Sequence, residues 1–289
     1  PTLVVHSGYL NTFGQKVHFS DYELEKADPY QLGSLLDLQH LSDTVLIQNY
    51  KNYANSPKSV ADLHKADSIS RVNLKLLADA GVLIATGTDA GNIGTLHTSS
   101  YLEELKAMQK SGMDNWQIIQ ASTINGAKIL GADDELGTVR IGKKANLVLL
   151  DANPVEDIEN VTKINTVINK GMVFLPDELL KDSPTDLAQR QLNAYNLRNI
   201  EAFLEPYAED VEVYSYPETL LYKGKGTMRE QYTGMFQKTP NLHCELKDRL
   251  VQGNIVIDKE RVTFANGTVE AIAIYHIENG KIQKVYFIQ

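Results

Sequence analysis

The chain has 289 residues, 43% of them hydrophobic and 22% charged, with a formal net charge of −9. That length sets a prior of about two domains, and the composition suits packed cores rather than long disorder. The acidic balance excludes a phosphate-backbone partner, which needs a clustered basic surface, and no apolar stretch approaches the roughly 18 residues of a membrane span.

The chain opens Pro1-Thr2-Leu3-Val4-Val5, with no methionine, basic leader or signal-peptide pattern. The run suits a strand buried on both faces. It reads as though cut inside that strand, so the expectation is a fragment of a longer protein, soluble and with its compartment unassigned. A polar stretch rich in Tyr and Asp follows, of the kind that shapes substrate pockets. Residues 70–80 predict a helix with Leu74, Leu77 and Ala78 on one face and Gly81 as its C-cap. Residues 82–85 predict a second buried strand, ending in Thr86-Gly87-Thr88-Asp89-Ala90-Gly91. Helices are expected over 100–110 and 115–130, then short strands at 137–140, 146–150 and 164–169.

Residues 175–186, with two prolines and a run of charge, read as a linker. An amphipathic helix is expected over 187–208, with Ala188, Leu192, Tyr195, Phe203 and Tyr207 near one face. Gly253-Asn254, Asn266-Gly267 and Asn279-Gly280 are two-residue hairpin turns flanked by apolar alternation, which predicts a four-stranded antiparallel meander. The lone Cys244 excludes an intrachain disulfide and reads as a small half-buried strand residue.

Asp89 is the key position for chemistry. It lies past the end of a predicted buried strand, which in a (β/α)8 barrel is the catalytic face. A carboxylate there can bind a divalent ion and take a proton from that ion's water; the competing reading is a turn cap. His97, in the loop before the next helix, and His6, after the first strand, are candidate substrate-binding groups, against solvated or capping roles.

An ordered series of motifs surrounds Asp89. It runs Gly81-Val82-Leu83-Ile84-Ala85-Thr86-Gly87-Thr88-Asp89-Ala90-Gly91, Leu102-Glu103-Glu104-Leu105, Ser111-Gly112-Met113 and Ala121-Ser122-Thr123-Ile124-Asn125-Gly126-Ala127. It continues through Leu130-Gly131, Leu136-Gly137-Thr138-Val139, Ile141-Gly142-Lys143-Lys144-Ala145-Asn146-Leu147-Val148-Leu149-Leu150-Asp151 and Asn153-Pro154. This series resembles the amidohydrolase superfamily, in its imidazolonepropionase-like and prolidase-like branch. The family usually has aspartate where this chain has Asn146, in a turn away from the chemistry. The resemblance implies metal-dependent hydrolysis of an amide, cyclic amide or other C–N bond of a small molecule. It makes Asp89 both a metal ligand and the carrier of the water's proton to the leaving nitrogen. Of the family's ligands only Asp89 maps here, and the seven histidines include no His-X-His pair. The expectation is therefore a divalent metal, zinc by preference, in the complete enzyme, with none stably bound by this chain, which alone would be inactive.

The end of the chain resembles the SnoaL-like branch of the NTF2-like superfamily. The matching pieces are Gln191-Leu192-Asn193-Ala194-Tyr195-Asn196, Phe203-Leu204-Glu205-Pro206-Tyr207-Ala208-Glu209-Asp210-Val211, Gly224-Lys225-Gly226-Thr227-Met228-Arg229 and Ile274-Tyr275-His276-Ile277. The resemblance implies a curved sheet wrapped by helices around a conical pocket, and a homodimer through this domain. His243, Asp258, Tyr275 and His276 are the polar pocket candidates, and strand alternation leaves open which of them face inward. The tyrosines between 207 and 222 read as core and pocket wall. The fold class expected is α/β plus α+β: part of a (β/α)8 metal-hydrolase barrel with β-sandwich strands over 1–174, the linker, and an NTF2-like cone over 187–289. The alternative function is an NTF2-like ligand-binding or dimerising module, or an isomerase or cyclase.

Overall fold

The computed structural model describes residues 1–38, 40–41, 44–264 and 266–288. In chain order its elements are α1 (Val5–Phe13), α2 (Asp21–Lys26), α3 (Pro29–Leu38), α4 (Val45–Asn55), α5 (Pro57–Asp79), α6 (Ser100–Lys110), α7 (Asn115–Ala121) and α8 (Ile124–Ile129). Then come β1 (Leu147–Leu150), β2 (Ile164–Asn169), β3 (Met172–Phe174), α9 (Pro176–Leu179), α10 (Pro184–Leu197), α11 (Ile200–Leu204), β4 (Tyr207–Ser215) and β5 (Thr219–Lys223). The chain ends with α12 (Lys225–Lys238), β6 (His243–Gln252), β7 (Ile255–Phe264), β8 (Gly267–Glu278) and β9 (Lys281–Ile288). Two compact units share these elements, Pro1–Val17 with Ser42–Lys181, and His18–Leu41 with Asp182–Gln289.

In the first unit, α5 begins well before the predicted 70–80 span. The Ser56 hydroxyl accepts the Ser59 N–H and Pro57 sits in the first turn, a strong local start signal. Left-handed Gly81 lies just past its end. Leu74 of α5, Leu105 and Met108 of α6, Ile118 of α7 and Ile158 form a small core. The single helix expected over 115–130 is divided, because Thr123 (φ −132°, ψ −92°) breaks the run between α7 and α8. β1, β2 and β3 form an antiparallel sheet, with Val148 opposite Val167 and Ile168 opposite Val173.

Two strands expected of a barrel are not formed. Val5 opens α1 instead of closing a strand, and the Leu3 and Val4 N–H groups donate to the buried Glu104 Oε2 at 2.7 and 3.1 Å. Residues 82–85 join no ladder. A parallel strand is stable only when paired and covered on both faces, and among the described residues neither run has a strand beside it. The (β/α)8 arrangement is therefore not formed among the described residues. Residues 137–140 also form no strand: Gly137 (φ 85°) turns so tightly against α8 that a Cβ there would lie 2.8 Å from the Ile124 Cα.

The second unit is built on a six-stranded mixed sheet in the order β5-β4-β9-β8-β7-β6. β6 to β9 form the predicted meander, and the Asn279-Gly280 turn has both residues left-handed (φ 53° and 71°), as a type I′ hairpin requires. β4 pairs parallel with β9, which makes the sheet mixed. The helix expected over 187–208 stops at Leu197 because Arg198 takes a left-handed conformation (φ 57°); α11 is a separate turn, and Tyr207 already belongs to β4. The predicted linker holds α9 and the start of α10, which Ser183 and Asp186 fix as a capping box.

Residues 18–41 depart from the expected division, which placed them in the domain over 1–174. They belong to the second unit. The Arg190 guanidinium of α10 donates to the Leu24 and Ala27 carbonyls at 3.0 and 3.1 Å, and Asn193 Nδ2 donates to the Pro29 carbonyl at 2.7 Å. These bonds satisfy carbonyls around the end of α2 and the start of α3, and Leu32 and Leu36 are buried.

Candidate functional site

Asp89 sits in a left-handed turn (φ 56°) and its side chain is exposed. The turn does not use its carboxylate. The backbone carbonyl of Asp89 accepts from the Asn92 N–H at 3.2 Å and from Asn92 Nδ2 at 3.3 Å, and the Thr88 hydroxyl accepts the Ala90 N–H at 3.2 Å. Capping thus falls to Thr88. Helix α1 anchors the loop from one side: Tyr9 Oη donates to Asn92 Oδ1 at 2.6 Å, and Gly8 and Gly94 meet so closely that a Cβ on Gly94 would lie 2.5 Å from the Gly8 carbonyl oxygen. His97 is exposed, with its ring against Gly91, so Asp89 and His97 share one loop. His6 is exposed in the first turn of α1, not beyond a strand end.

Metal binding has a narrower basis. Among the described residues no three His, Cys, Asp or Glu side chains are gathered to hold an ion, whereas a zinc site takes three or four protein ligands. The residues around Asp89 do not fit a metal centre by themselves.

A cavity of about 330 Å³ opens in the second unit. The rings of Tyr195, Phe203, Tyr207, Tyr222, Tyr232, Phe264, Tyr275 and Phe287 line it, together with Gln191, Cys244 and Glu260. Of the four pocket candidates named from the sequence, only Tyr275 is in the lining. Asp258 is fully buried and held bidentately by Arg249, with Nε–Oδ1 and Nη2–Oδ2 both 2.6 Å. His243 stacks on His40, their ring centres 3.7 Å apart, and burial together with His40 holds its pKa down to about 4. His276 points to the other face of β8, where it packs at a tilt on Tyr286.

Glu260, which the sequence reading passed over, is the carboxyl that reaches the cavity. Burial, and then the neighbouring Asp258, push its pKa up to about 7, against hydrogen bonds from Tyr275 and Cys244 and the charge of Arg249. A directed chain of hydrogen bonds ends on it. Tyr207 Oη donates to Gln191 Oε1 at 3.1 Å, Gln191 Nε2 to Tyr275 Oη at 2.9 Å, and Tyr275 Oη to Glu260 Oε1 at 3.2 Å. On β8, Ala271 stands opposite Glu260 and Ala273 opposite Asp258, while on β6 the partners are Leu246 and Arg249. A sequence signal existed: Asp258 and Glu260 are in phase with Val256 and Val262 on one strand.

Residues 18–173 match the amidohydrolase family, and residues 188–285 match the SnoaL-like domain. The chain belongs to the amidohydrolase family. Its relatives include a 5'-deoxyadenosine deaminase of Methanobrevibacter smithii, 28% identical over 40% of this chain and 27% of that protein. An imidazolonepropionase of Shouchella clausii is 30% identical over 37% of this chain and 25% of that protein. A 5-methylthioadenosine/S-adenosylhomocysteine deaminase of Carboxydothermus hydrogenoformans is 26% identical over 64% and 39%. The chain thus spans well under half the length of these relatives. Among solved structures, a cystatin fold protein of Novosphingobium aromaticivorans overlays with a TM-score of 0.36 at 24% identity, covering 37% of this chain and 99% of that one. An NTF2-like protein of Cytophaga hutchinsonii gives 0.33 at 19% identity, covering 37% and 88%. Amidohydrolases generally use a divalent metal. In this chain the loop that carries Asp89 lies inside the matched segment, and no helix among the described residues is long and apolar enough to cross a membrane.

Proposed function

We propose that this chain serves a hydrolase acting on an amide, cyclic amide or amidine C–N bond of a small molecule, with Asp89 as the carboxylate that moves a proton from the attacking water to the leaving nitrogen. The observation that supports the reading is the family match across residues 18–173, which includes the Asp89 turn. The geometry is compatible with it: a carboxylate that the turn does not need for its own hydrogen bonds is free to exchange a proton. The remaining ligands of the family's divalent ion, zinc by preference, would come from outside the described residues.

Two of the relatives above are named as deaminases of adenosine derivatives, so ammonia release from 5'-deoxyadenosine and 5-methylthioadenosine is the first activity to measure. The test uses the full-length gene product. The reading predicts ammonia release from an amidine substrate or ring opening of a cyclic amide, in either case lost on chelation and restored by zinc. Turnover that ignores the chelator contradicts it.

A further inference from the structure

The cavity of the second unit is an aromatic box with a single acid. Its lining includes the rings of Tyr195, Phe203, Tyr222, Tyr232 and Phe264; among the described residues Glu260 is its only carboxyl and no Lys, Arg or His lines it. Phe203 and Tyr232 lie 4.4 Å apart between ring centres, so the box is closely packed. Aromatic faces carry negative electrostatic potential and attract cations. The polar groups inside make the same demand, because Tyr207, Gln191 and Tyr275 pass their donors along one chain whose terminal acceptor is Glu260. An anionic ligand would meet a carboxyl with no compensating base. A neutral apolar ligand would leave that carboxyl, when ionised, with hydrogen bonds from Tyr275 and Cys244 but no counter-charge in the cavity, which is costly. A compact organic cation supplies the missing counter-charge and stacks on the rings.

We propose that the second-unit cavity binds a small organic cation, an ammonium or amidinium carried on a compact apolar body, with Glu260 as its counter-ion and the surrounding rings as a cation–π cage. This site stands on the cavity alone and is independent of the hydrolase reading. Occupation by a cation favours ionised Glu260, so binding expels the proton that the empty site holds below about pH 7. The groups facing Glu260 are Asp258 on its own strand, Arg249 and Cys244 on β6, Tyr275 on β8, Tyr207 on β4 and Tyr195 on α10. Asp258 and Arg249 compensate one another through their bidentate pair, and the tyrosines and the cysteine are held neutral by burial, which leaves Glu260 to titrate.

The test is calorimetric titration of the full chain with three probes of one shape, benzylamine, benzyl alcohol and benzoate. The proposal predicts that benzylamine binds at least about tenfold more tightly than either of the others, a difference of ~1.4 kcal/mol. Near pH 6 the benzylamine heats should depend on the buffer's ionisation enthalpy, reporting proton release, and this dependence should fade near pH 8. In Glu260→Gln, benzylamine should lose about tenfold in affinity while benzyl alcohol keeps its own, with circular dichroism confirming the fold. The wild-type probe ranking stands as a test even if that variant fails to fold. Equal or tighter binding of benzyl alcohol or benzoate, unchanged benzylamine binding by Glu260→Gln, or no heat from benzylamine into the millimolar range would each overturn the proposal.

Discussion

Asp258 and Glu260 lie two residues apart on the inner face of β7 and do different things. Arg249 holds the first in a bidentate pair, and its charge on the second is outweighed by burial and by Asp258. The Asp258–Arg249 pair is sequestered, with side-chain exposures of 0% and 9%, and Arg249 also donates to Gln189 Oε1 at 3.0 Å. Removing one member of such a pair strands the other, so Arg249→Met should cost about 3–5 kcal/mol of unfolding free energy. Urea titration of the second-unit transition measures this, and a loss below about 1 kcal/mol would show that solvent reaches Asp258. Glu260 makes an opposite kind of prediction. Its folded pKa of about 7 exceeds the ordinary 4.5, so between those values the folded state holds a proton that the unfolded state has released. Stability therefore falls as pH rises through this window, by at most roughly 1.4 kcal/mol per unit, and the loss is complete above about pH 7. His243 works the other way: its depressed pKa removes stability as pH falls from about 6.5 towards 4. Comparing melting temperatures of wild type and Glu260→Gln from about pH 5 to pH 8 cancels the histidine, which both proteins share. Wild type should lose more on the alkaline side; parallel curves would contradict the assignment.

Among the elements, those with local causes were legible in the sequence. The Asn279-Gly280 turn was legible because both residues tolerate the left-handed backbone that a two-residue turn needs, and Gly253 takes it in the turn before β7. Gly267, expected in a turn, instead opens β8 opposite Phe264. α6 runs over Ser100–Lys110 and β2 over Ile164–Asn169, both as their patterns predict. The phase of β7 misled the site reading. Apolarity marks Ile255 and Ile257 at one end and Val262 and Phe264 at the other, which are opposite phases, while the inward positions between them are Asp258 and Glu260. Hydrophobicity cannot point inward where the cavity face is charged. The breaks at Thr123 and Arg198 had no Gly or Pro to announce them. The runs at 1–5 and 82–85 are apolar enough for strands, but strand formation depends on partners that a local pattern does not encode. Packing of α3 on α10 was equally non-local, and Gly33 marks it: a Cβ there would lie 2.8 Å from both Asn193 Oδ1 and Gln189 Nε2. Those two atoms are bonded to each other, and Asn193 also holds the Pro29 carbonyl. Gly33→Ala should therefore destabilise the second unit by about 1–3 kcal/mol, read by hydrogen-exchange protection in α3 and α10. Unchanged protection would show that the amides simply move aside.

For the molecule as a whole, the interleaved connectivity has a direct consequence. The segment 18–41 belongs to the unit that ends the chain, although 44–181 intervenes. A protease cut confined to residues 175–182 should leave two pieces that stay together on native gel filtration, held by the bonds from Arg190 and Asn193 and by buried Leu32 and Leu36. Pieces that separate at once would contradict the docking of 18–41. The central claim, that Asp89 serves the chemistry rather than its turn, has one decisive measurement: kcat and melting temperature of Asp89→Asn on the same preparation of the full-length gene product, fully metallated. The substitution keeps size and removes the proton acceptor. The account predicts an unchanged melting temperature and a kcat lower by about two to four powers of ten. Near-normal turnover with about 1 kcal/mol of lost stability, the signature of a cap, would contradict it.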